Sequence, residues 1–185
     1  MGTVRSTMAE LIDWLRDAIA DQSGTTQVWS NEQLQAALDR NRVEHRYSEL
    51  YVRPTIAQGG SVSYKVFYAA DGYWESDAVL YSTVAGTSFV AIPIGSTDTA
   101  DYLGGRWSFA TTKNWPMYIV GFSYDVNIAA AEVLDRWVAK VKLDFDFSAD
   151  GQTLQRSQKA VTLKELADHY RGLGKPEVIQ MVRTD

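Results

Sequence analysis

The sequence predicts an α+β fold: a four-helix core, two helices from each end of the chain, with an inserted antiparallel β-sheet of about five strands and an extended C-terminal tail. Apolar residues recur at spacings of three and four near both ends, which is typical of amphipathic helices. Between these regions the apolar repeat shortens to two residues, which is typical of strands. The predicted boundaries are residues 1–46 for the N-terminal helices, 47–124 for the β insertion, 125–174 for a C-terminal helical hairpin and 175–185 for the tail.

The composition excludes several classes of function. The 185-residue chain has a formal net charge of −5, no cysteine and two histidines. It is long enough to bury a core without disulfides, and a cysteine-ligated zinc site is excluded. The negative charge argues against nucleic-acid binding, which needs clustered lysine and arginine residues. Charged residues interrupt the N-terminal apolar pattern, so we expect no signal peptide, no membrane contact and a soluble protein made in the cytoplasm.

The first helix is predicted from a capping box and an apolar stripe. Thr7 and Glu10 have the spacing at which each side chain can bond the backbone amide of the other. The pattern ends near Ser23 and Gly24, which can stop a helix. The stripe consists of Met8, Leu11, Ile12, Leu15 and Ile19.

The second helix has a clearer start. Ser30 and Gln33 repeat the capping box, and the residues on either side of it, Trp29 and Leu34, occupy the positions of a hydrophobic staple. We expect this helix to run from Asn31 to about Glu44. Its charged second half indicates that it emerges at a surface.

The β insertion is predicted from alternation and turn signals. Val62, Tyr64, Val66 and Tyr68 alternate with their neighbours, and Asp71-Gly72 favours a turn. Five short strands in this region indicate an antiparallel sheet or a small sandwich. The four later β-rich runs are Val79 to Val84, Ser88 to Ile94, Arg106 to Ala110 and Met117 to Tyr124.

The C-terminal hairpin is predicted from two helical stripes joined by an acidic turn. The first stripe includes Val126, Ala130, Val133, Trp137 and Val141, and the second includes Leu163, Leu166, Ala167 and Tyr170. Gly172, Gly174 and Pro176 stop the last helix. The apolar tail that follows either packs on its own chain or is offered to a partner.

The acidic turn carries a partial calcium-loop pattern. Asp146, Ser148 and Asp150 occupy the first, third and fifth positions of such a loop, and Gly151 occupies the sixth. The twelfth position should supply a bidentate glutamate, but it is Ser157. The pattern therefore favours a turn between helices over a calcium site, and no metal or cofactor is predicted.

Neither histidine lies in a catalytic pattern. His45 falls in a charged segment and His169 near the end of a helix, so we expect both to be solvated or to cap a helix. Asp13, Asp17 and Asp21 are expected to form a solvated face, and the chain is not expected to be an enzyme. Seven aromatic residues of the insertion are consistent with a sugar-binding platform, with core packing and with subunit contact: Tyr64, Tyr68, Tyr73, Trp74, Tyr81, Trp107 and Trp115.

The helical segments resemble the head-tail connector, or adaptor, proteins of long-tailed bacteriophages. The resemblance rests on AELIDWLRDAIAD, on WSNEQLQAALDR, on the stretch from YDVNIAAAEVLDRW through DFSADGQTLQRSQK to LADHYR, and on the Pro-led MVRTD ending. The β insertion departs from the smallest members of this group, in which the corresponding connection is shorter. The resemblance implies a virion structural protein at the head-tail interface.

The resemblance also implies partners and a mode of assembly. Such adaptors form a ring, commonly of twelve copies, that joins the portal protein to a tail-completion or tail-tube protein and leaves a channel through which DNA passes. The resemblance implies that the C-terminal segment docks on the portal. The residues of this chain that would do so are Val178, Ile179, Met181, Val182 and Arg183.

The position of the β insertion in such a ring is a separate hypothesis. We expect the insertion to lie outside the helical ring or between neighbouring subunits. A sheet that caps a closed monomer, with Trp74 and Trp107 both buried internally, would contradict this placement. The alternative function is a carbohydrate- or protein-binding decoration module that uses the aromatic-rich sheet.

Overall fold

The computed structural model describes residues 3–22, 24–56, 59–84, 88–145 and 153–174. Two compact units divide the chain, the first ending at Tyr124 and the second starting at Asp125. The described residues form four helices and two antiparallel sheets of four strands each, which confirms the predicted α+β class.

Two helices open the first unit. Helix α1 (Ala9–Ala18) follows a short 3-10 turn, and helix α2 (Asn31–Arg40) begins at a complete capping box between Ser30 and Gln33, as predicted. The box predicted at Thr7 does not form, because the Thr7 hydroxyl donates to the buried carboxylate of Glu75 instead. A distant buried acceptor has therefore replaced the local capping partner.

The expected extension of α2 to about Glu44 is wrong. The helix ends at Arg40, and Asn41 forms the turn that precedes strand β1 (Arg42–Glu49). Strand β1 pairs along its length with the strand that ends at Tyr124. This pairing satisfies the backbone of a charged segment that would otherwise continue the helix pattern.

The described residues contain eight strands, where the alternation predicted five. The five predicted runs all contain strands, and the additional ones are β1 and two that lie in segments with weak alternation. After β1 the strands are β2 (Tyr51–Ile56), β3 (Val62–Tyr68), β4 (Val79–Val84), β5 (Ser88–Ile92), β6 (Thr99–Asp101), β7 (Arg106–Ser108) and β8 (Met117–Tyr124). They form a first sheet in the order β1-β8-β4-β5 and a second sheet in the order β2-β3-β7-β6.

The two sheets share one hydrophobic core. Leu50, the single residue between β1 and β2, is buried at the point where the chain leaves the first sheet for the second. The core cluster takes side chains from both sheets and consists of Leu50, Phe67, Trp74, Ala78, Leu80, Trp107, Phe109, Met117 and Ile119. Trp74 and Trp107 are 2% and 0% exposed. Their internal burial counts against the expected placement of the β segment outside or between ring subunits.

Two backbone features shape the first sheet. The β1–β8 register shifts between His45 and Ser48, and Tyr47 within this bulge has a positive φ of 54°. Gly121 of β8 lies opposite His45 with a φ of 157°, and a Cβ there would stand 2.8 Å from the Cβ of Ala78. Glycine is therefore needed where these chain segments approach closely.

The second unit contains an antiparallel helical hairpin of α3 (Val126–Phe145) and α4 (Thr153–Leu173). Among the predicted stripe residues, Leu163 and Ala167 are buried on α4. On α3, Val126, Ala130, Val133 and Trp137 are buried as predicted, whereas Val141 is half-buried. Asp135 on α3 joins the two helices through ion pairs with Lys164, at 3.2 Å, and with Arg171, and Asp168 pairs with the same two residues within α4. The ammonium of Lys159 lies 5.2 Å from the ring centre of Trp137.

Candidate functional site

The site residues that the sequence predicted lie outside the described residues. This applies to the partner-binding set Val178, Ile179, Met181, Val182 and Arg183, and to the calcium-loop candidates Asp146, Ser148 and Asp150. Three other groups in the described part of the chain have the burial or exposure expected of functional residues: a histidine cluster, a buried ionic network and an exposed aromatic surface.

His45 is the centre of the first group and is not the solvated residue that we expected. Its Nε2 atom lies 2.8 Å from the Ser123 hydroxyl and 3.4 Å from an Asp71 carboxylate oxygen. Its Nδ1 atom lies 3.3 Å from the Ser48 hydroxyl, and its ring centre is 4.5 Å from that of Trp74. The side chain is 12% exposed. The sequence separations hide this cluster, because its residues belong to β1, β8 and an intervening turn.

The His45 cluster contains the residue types of a hydrolytic triad but not its geometry. A triad needs the hydroxyl on Nε2 and the carboxylate on Nδ1, so that one nitrogen takes the proton while the other is held in place. Here Asp71 and the fully buried Ser123 both lie on Nε2, and the half-buried Ser48 hydroxyl lies on Nδ1, so the two nitrogens have the opposite partners from those of a triad. The cluster joins strands β1 and β8 to the turn at Asp71.

The second group is an ionic network around Glu75, whose side chain is 3% exposed. One carboxylate oxygen accepts from Arg5 Nε at 2.9 Å and from the Thr7 hydroxyl at 2.5 Å, and the other accepts from the Tyr124 hydroxyl at 2.6 Å. Arg5 also pairs with Asp39 at 2.6 Å. This arrangement ties the N-terminal segment to α2, to the β3–β4 connection and to the end of β8.

The network shifts the pKa values of its members. Burial raises the pKa of Glu75, but the hydrogen bonds from Thr7, Tyr124 and Arg5 together outweigh it and hold the pKa below its ordinary value. Burial, followed by the hydrogen bond to Glu75, raises the pKa of Tyr124. The pKa of Asp77 is raised, first by burial and then by the nearby charge of Glu75.

Acidification should remove the contribution of Glu75 to stability. Because the folded-state pKa is lowered, the contribution is complete above the ordinary carboxyl pKa, near 4.5, and is lost as pH falls through the folded value. Asp77 acts in the opposite direction, so urea unfolding should be compared in an Asp77→Asn background with and without Glu75→Gln. We expect the difference in unfolding free energy to shrink from pH 6 toward pH 3. A difference independent of pH would contradict the charged state of Glu75.

Asp21 corrects the expected acidic face. Asp13 and Asp17 are exposed, whereas Asp21 is 3% exposed and pairs with the equally buried Arg16 at 3.2 Å. The Asp21 carboxylate also accepts from the backbone amides of Val28 and Trp29, at 2.8 and 3.0 Å. Asp21 therefore fixes the loop between α1 and α2, which is a structural function that the helical spacing did not indicate.

The third group is an aromatic surface, and it differs from the predicted platform. Trp74 and Trp107 belong to the core, so neither can stack on a sugar. The aromatic cluster of the first sheet consists instead of the exposed Tyr47 and Phe89 and the half-buried Tyr81 and Tyr118. Its rings are closely spaced, with centres 4.1 Å apart for Tyr47 and Phe89, 5.3 Å for Tyr47 and Tyr81, and 5.2 Å for Phe89 and Tyr118.

An open cleft lies beside the junction of β1 and β2. Its volume is about 400 Å³, and it is lined by Glu49, Leu50, Tyr51, Val52 and Trp115. Tyr51 and Trp115 are 66% and 53% exposed. Two exposed rings next to one carboxylate can stack on a flat ligand and accept a hydrogen bond from it.

Metal ligands, membrane-spanning helices and known relatives would each be a further indication of function. The described ranges contain no group of three or more histidine, aspartate or glutamate residues placed to hold a metal ion. None of the helices, as far as the structure describes them, combines the length and apolar character needed to cross a membrane. No family model, no curated protein and no solved structure matches the chain. The proposed function therefore rests on the residues and the resemblance already described.

Proposed function

We propose that this chain is a virion structural protein, a head-tail connector that forms a ring below the portal and joins the capsid to the tail of a long-tailed bacteriophage. The observation that carries the proposal is the α3–α4 hairpin. Its two helices, Val126–Phe145 and Thr153–Leu173, contain several of the segments that resemble adaptor proteins, and WSNEQLQAALDR at the start of α2 is another. The proposal places the protein in the virion after its synthesis in the host cytoplasm.

The surface of the hairpin supports a role in assembly. Ion pairs of Asp135 with Lys164 and Arg171 join α3 to α4, and Asp168 pairs with the same two residues within α4. Val161 and Leu173 on α4 remain 57% and 55% exposed. A rigid hairpin with exposed apolar side chains gives a neighbouring subunit a surface that needs little ordering on contact.

The charge of the chain supports a conduit for DNA. A ring of subunits with a net charge of −5 each would repel the phosphates that pass through it. DNA can then move without being held. In this proposal the ring has twelve copies and its far face receives a tail-completion or tail-tube protein.

The C-terminal tail, residues 175–185, is the proposed portal-docking segment. It carries Val178, Ile179, Met181, Val182 and Arg183. A short apolar segment after a helix-stopping glycine and proline can add a strand, or fill a groove, on a partner. Removing Glu177 to Asp185 should then abolish portal binding and leave the melting transition unchanged.

The test is the mass of the protein in dilute solution, alone and mixed with the portal protein encoded near it. We expect a portal-dependent shift to a cyclic complex. Ile179→Asp should abolish the shift, because it places a charge in the docking segment, whereas Val43→Asp on exposed β1 should preserve it. A wild-type protein that ignores the portal, or a shift that survives Ile179→Asp, would overturn the proposed docking.

The cleft of Glu49, Tyr51 and Trp115 favours a second candidate function, a carbohydrate- or protein-binding module. If the portal produces no shift in mass, the protein should be titrated with oligosaccharides while its tryptophan fluorescence is followed. A change that disappears in Trp115→Ala would support the binding module, because Trp115 is an exposed tryptophan that lines the cleft. A fluorescence change that persists in Trp115→Ala would show that the ligand binds outside the cleft.

A further inference from the structure

The two sheets have four edge strands, and three of them are protected against pairing with another chain. Strand β1 carries four charged residues and a bulge. Strand β2 contains Arg53 and Pro54, with a register shift between them. Strand β6 is three residues long and ends in Asp101. Charges, proline, bulges and short length are the devices by which proteins prevent edge-to-edge association.

Strand β5 is the edge that lacks these devices. Its sequence, Ser-Phe-Val-Ala-Ile from Ser88 to Ile92, has no charge and no proline, and it pairs with β4 without a register shift. Phe89 and Val90 are 43% and 48% exposed. In the described part of the chain β4 is the only strand that pairs with β5. Along such an edge, alternate residues present their N–H and C=O groups outward.

Neighbouring aromatic side chains restrict the rotamers of Phe89 on this edge. Phe89 stacks on Tyr47 with ring centres 4.1 Å apart and meets Tyr118 edge-on at 5.2 Å. Tyr81, in the same sheet, contacts Tyr47 at 5.3 Å. Ring contacts on both sides limit the freedom of Phe89 before any partner arrives, which lowers the entropic cost of binding at this edge.

We propose that β5 pairs antiparallel with β5 of a second copy of this chain, in a register centred on Val90, so that the first sheet continues across two molecules. In this register Val90 faces Val90 of the copy, and the large Phe89 faces the small Ala91. The strand is thus complementary to itself. Such a two-fold contact is isologous and closes at two copies.

The lack of charge on β5 is compatible with a second copy as the occupant. Two chains that each carry a net charge of −5 repel one another, and the repulsion is weakest where the touching surfaces are uncharged. Among the four edges, β5 is the one without a charged residue. A charged partner strand would find no opposite charge on this edge, whereas a second β5 strand brings no like charge to it.

The contact is small, so the dimer should be weak and should depend on concentration. Five paired residues and one aromatic cluster are less than a standard stable interface. The inference goes beyond the proposed connector function and does not rest on it, because the β5 edge and the C-terminal tail are different segments. A Val90 variant should therefore retain the mass shift that the portal produces.

The first test is the mass of the protein by sedimentation at increasing concentration. We expect wild-type protein to dimerise and Val90→Lys to remain monomeric, because two lysines would face each other across the two-fold axis. Val43→Lys, at a β1 position of similar exposure (43%), should dimerise like wild type. Mixing Val90→Lys with Val90→Glu should restore a dimer, since opposite charges then meet. A wild-type monomer at every concentration, or a dimer that survives Val90→Lys, would overturn the proposal.

A second test remains informative if Val90→Lys fails to fold. The chain has no cysteine, so Val90→Cys introduces a single thiol. Opposed residues of an antiparallel pair have Cα atoms about 4.5 to 5.5 Å apart, within the reach of a disulfide. Mild oxidation should link Val90→Cys into a covalent dimer and leave Val43→Cys monomeric. A Val90→Cys thiol that reacts with a soluble reagent but forms no dimer would contradict the register.

Discussion

Replacing Glu75 with glutamine should destabilise the first unit by about 2 to 3 kcal/mol. The carboxylate accepts hydrogen bonds from Arg5, Thr7 and Tyr124 while it is almost fully buried. An amide supplies only one acceptor oxygen, and its NH₂ group would face donors that need acceptors. The Arg5 guanidinium would also lose a counter-charge.

Urea unfolding followed by tryptophan fluorescence measures this change, because five of the six tryptophans, all except Trp137, lie in the first unit. Glu44→Gln is the matched control, since Glu44 pairs with Arg46 on the surface and should change the midpoint very little. Tyr124→Phe removes one hydrogen bond and should cost about 1 kcal/mol. Equal midpoints for Glu75→Gln and Glu44→Gln would show that the network contributes no stability.

Replacing Trp107 with alanine should destabilise the first unit by about 3 to 5 kcal/mol. The side chain is 0% exposed and lies edge-on to Trp74 and Tyr102, with ring centres 6.2 and 6.1 Å away. Alanine would leave a cavity between the two sheets that these rings cannot fill without moving. The same unfolding experiment measures the loss, with circular dichroism as an independent signal.

Trp107→Phe is the informative comparison for that variant. The indole Nε1 of Trp107 is buried and finds no hydrogen-bond partner among the described residues. Phenylalanine removes this unpaired donor along with some apolar volume, so we expect a loss of about 1 kcal/mol or less. A phenylalanine variant as unstable as the alanine variant would contradict this expectation, because the retained ring would then contribute no packing energy.

Local patterns in the sequence were sufficient for much of the secondary structure. Two of the predicted strands, at Val79–Val84 and Met117–Tyr124, have the same bounds in the structure, the alternation from Val62 to Tyr68 falls on β3, and the Ser30 capping box starts α2 as predicted. These elements depend on side chains close in sequence, or on an alternation that one buried face imposes. The elements that sequence reasoning missed are edge strands. Strand β1 is charged and β2 contains Pro54, because an edge strand must resist further pairing.

The functional clusters could not be predicted because their residues are distant in sequence. Thr7 was assigned to a local capping box, but its acceptor is Glu75, and His45 was expected in solvent, but it meets Ser123. No spacing rule connects such pairs. Asp21 and Arg16 are close enough in sequence for a rule, yet an aspartate at helical spacing gives no sign that it will be buried. Only the assembled sheets and loops determine which polar side chains lose contact with water.

The central place of β8 has a consequence for the order in which the chain is made. Strand β8 lies between β1 and β4, and its last residue, Tyr124, ends the first unit. During translation α1, α2 and β1 emerge early, but β8, the strand that pairs with β1, is the last element of the first unit to emerge. Contacts of such long sequence separation form slowly. Until Tyr124 has left the ribosome, β1 has no partner strand, and its charged side chains are what keep the nascent chain from pairing with another.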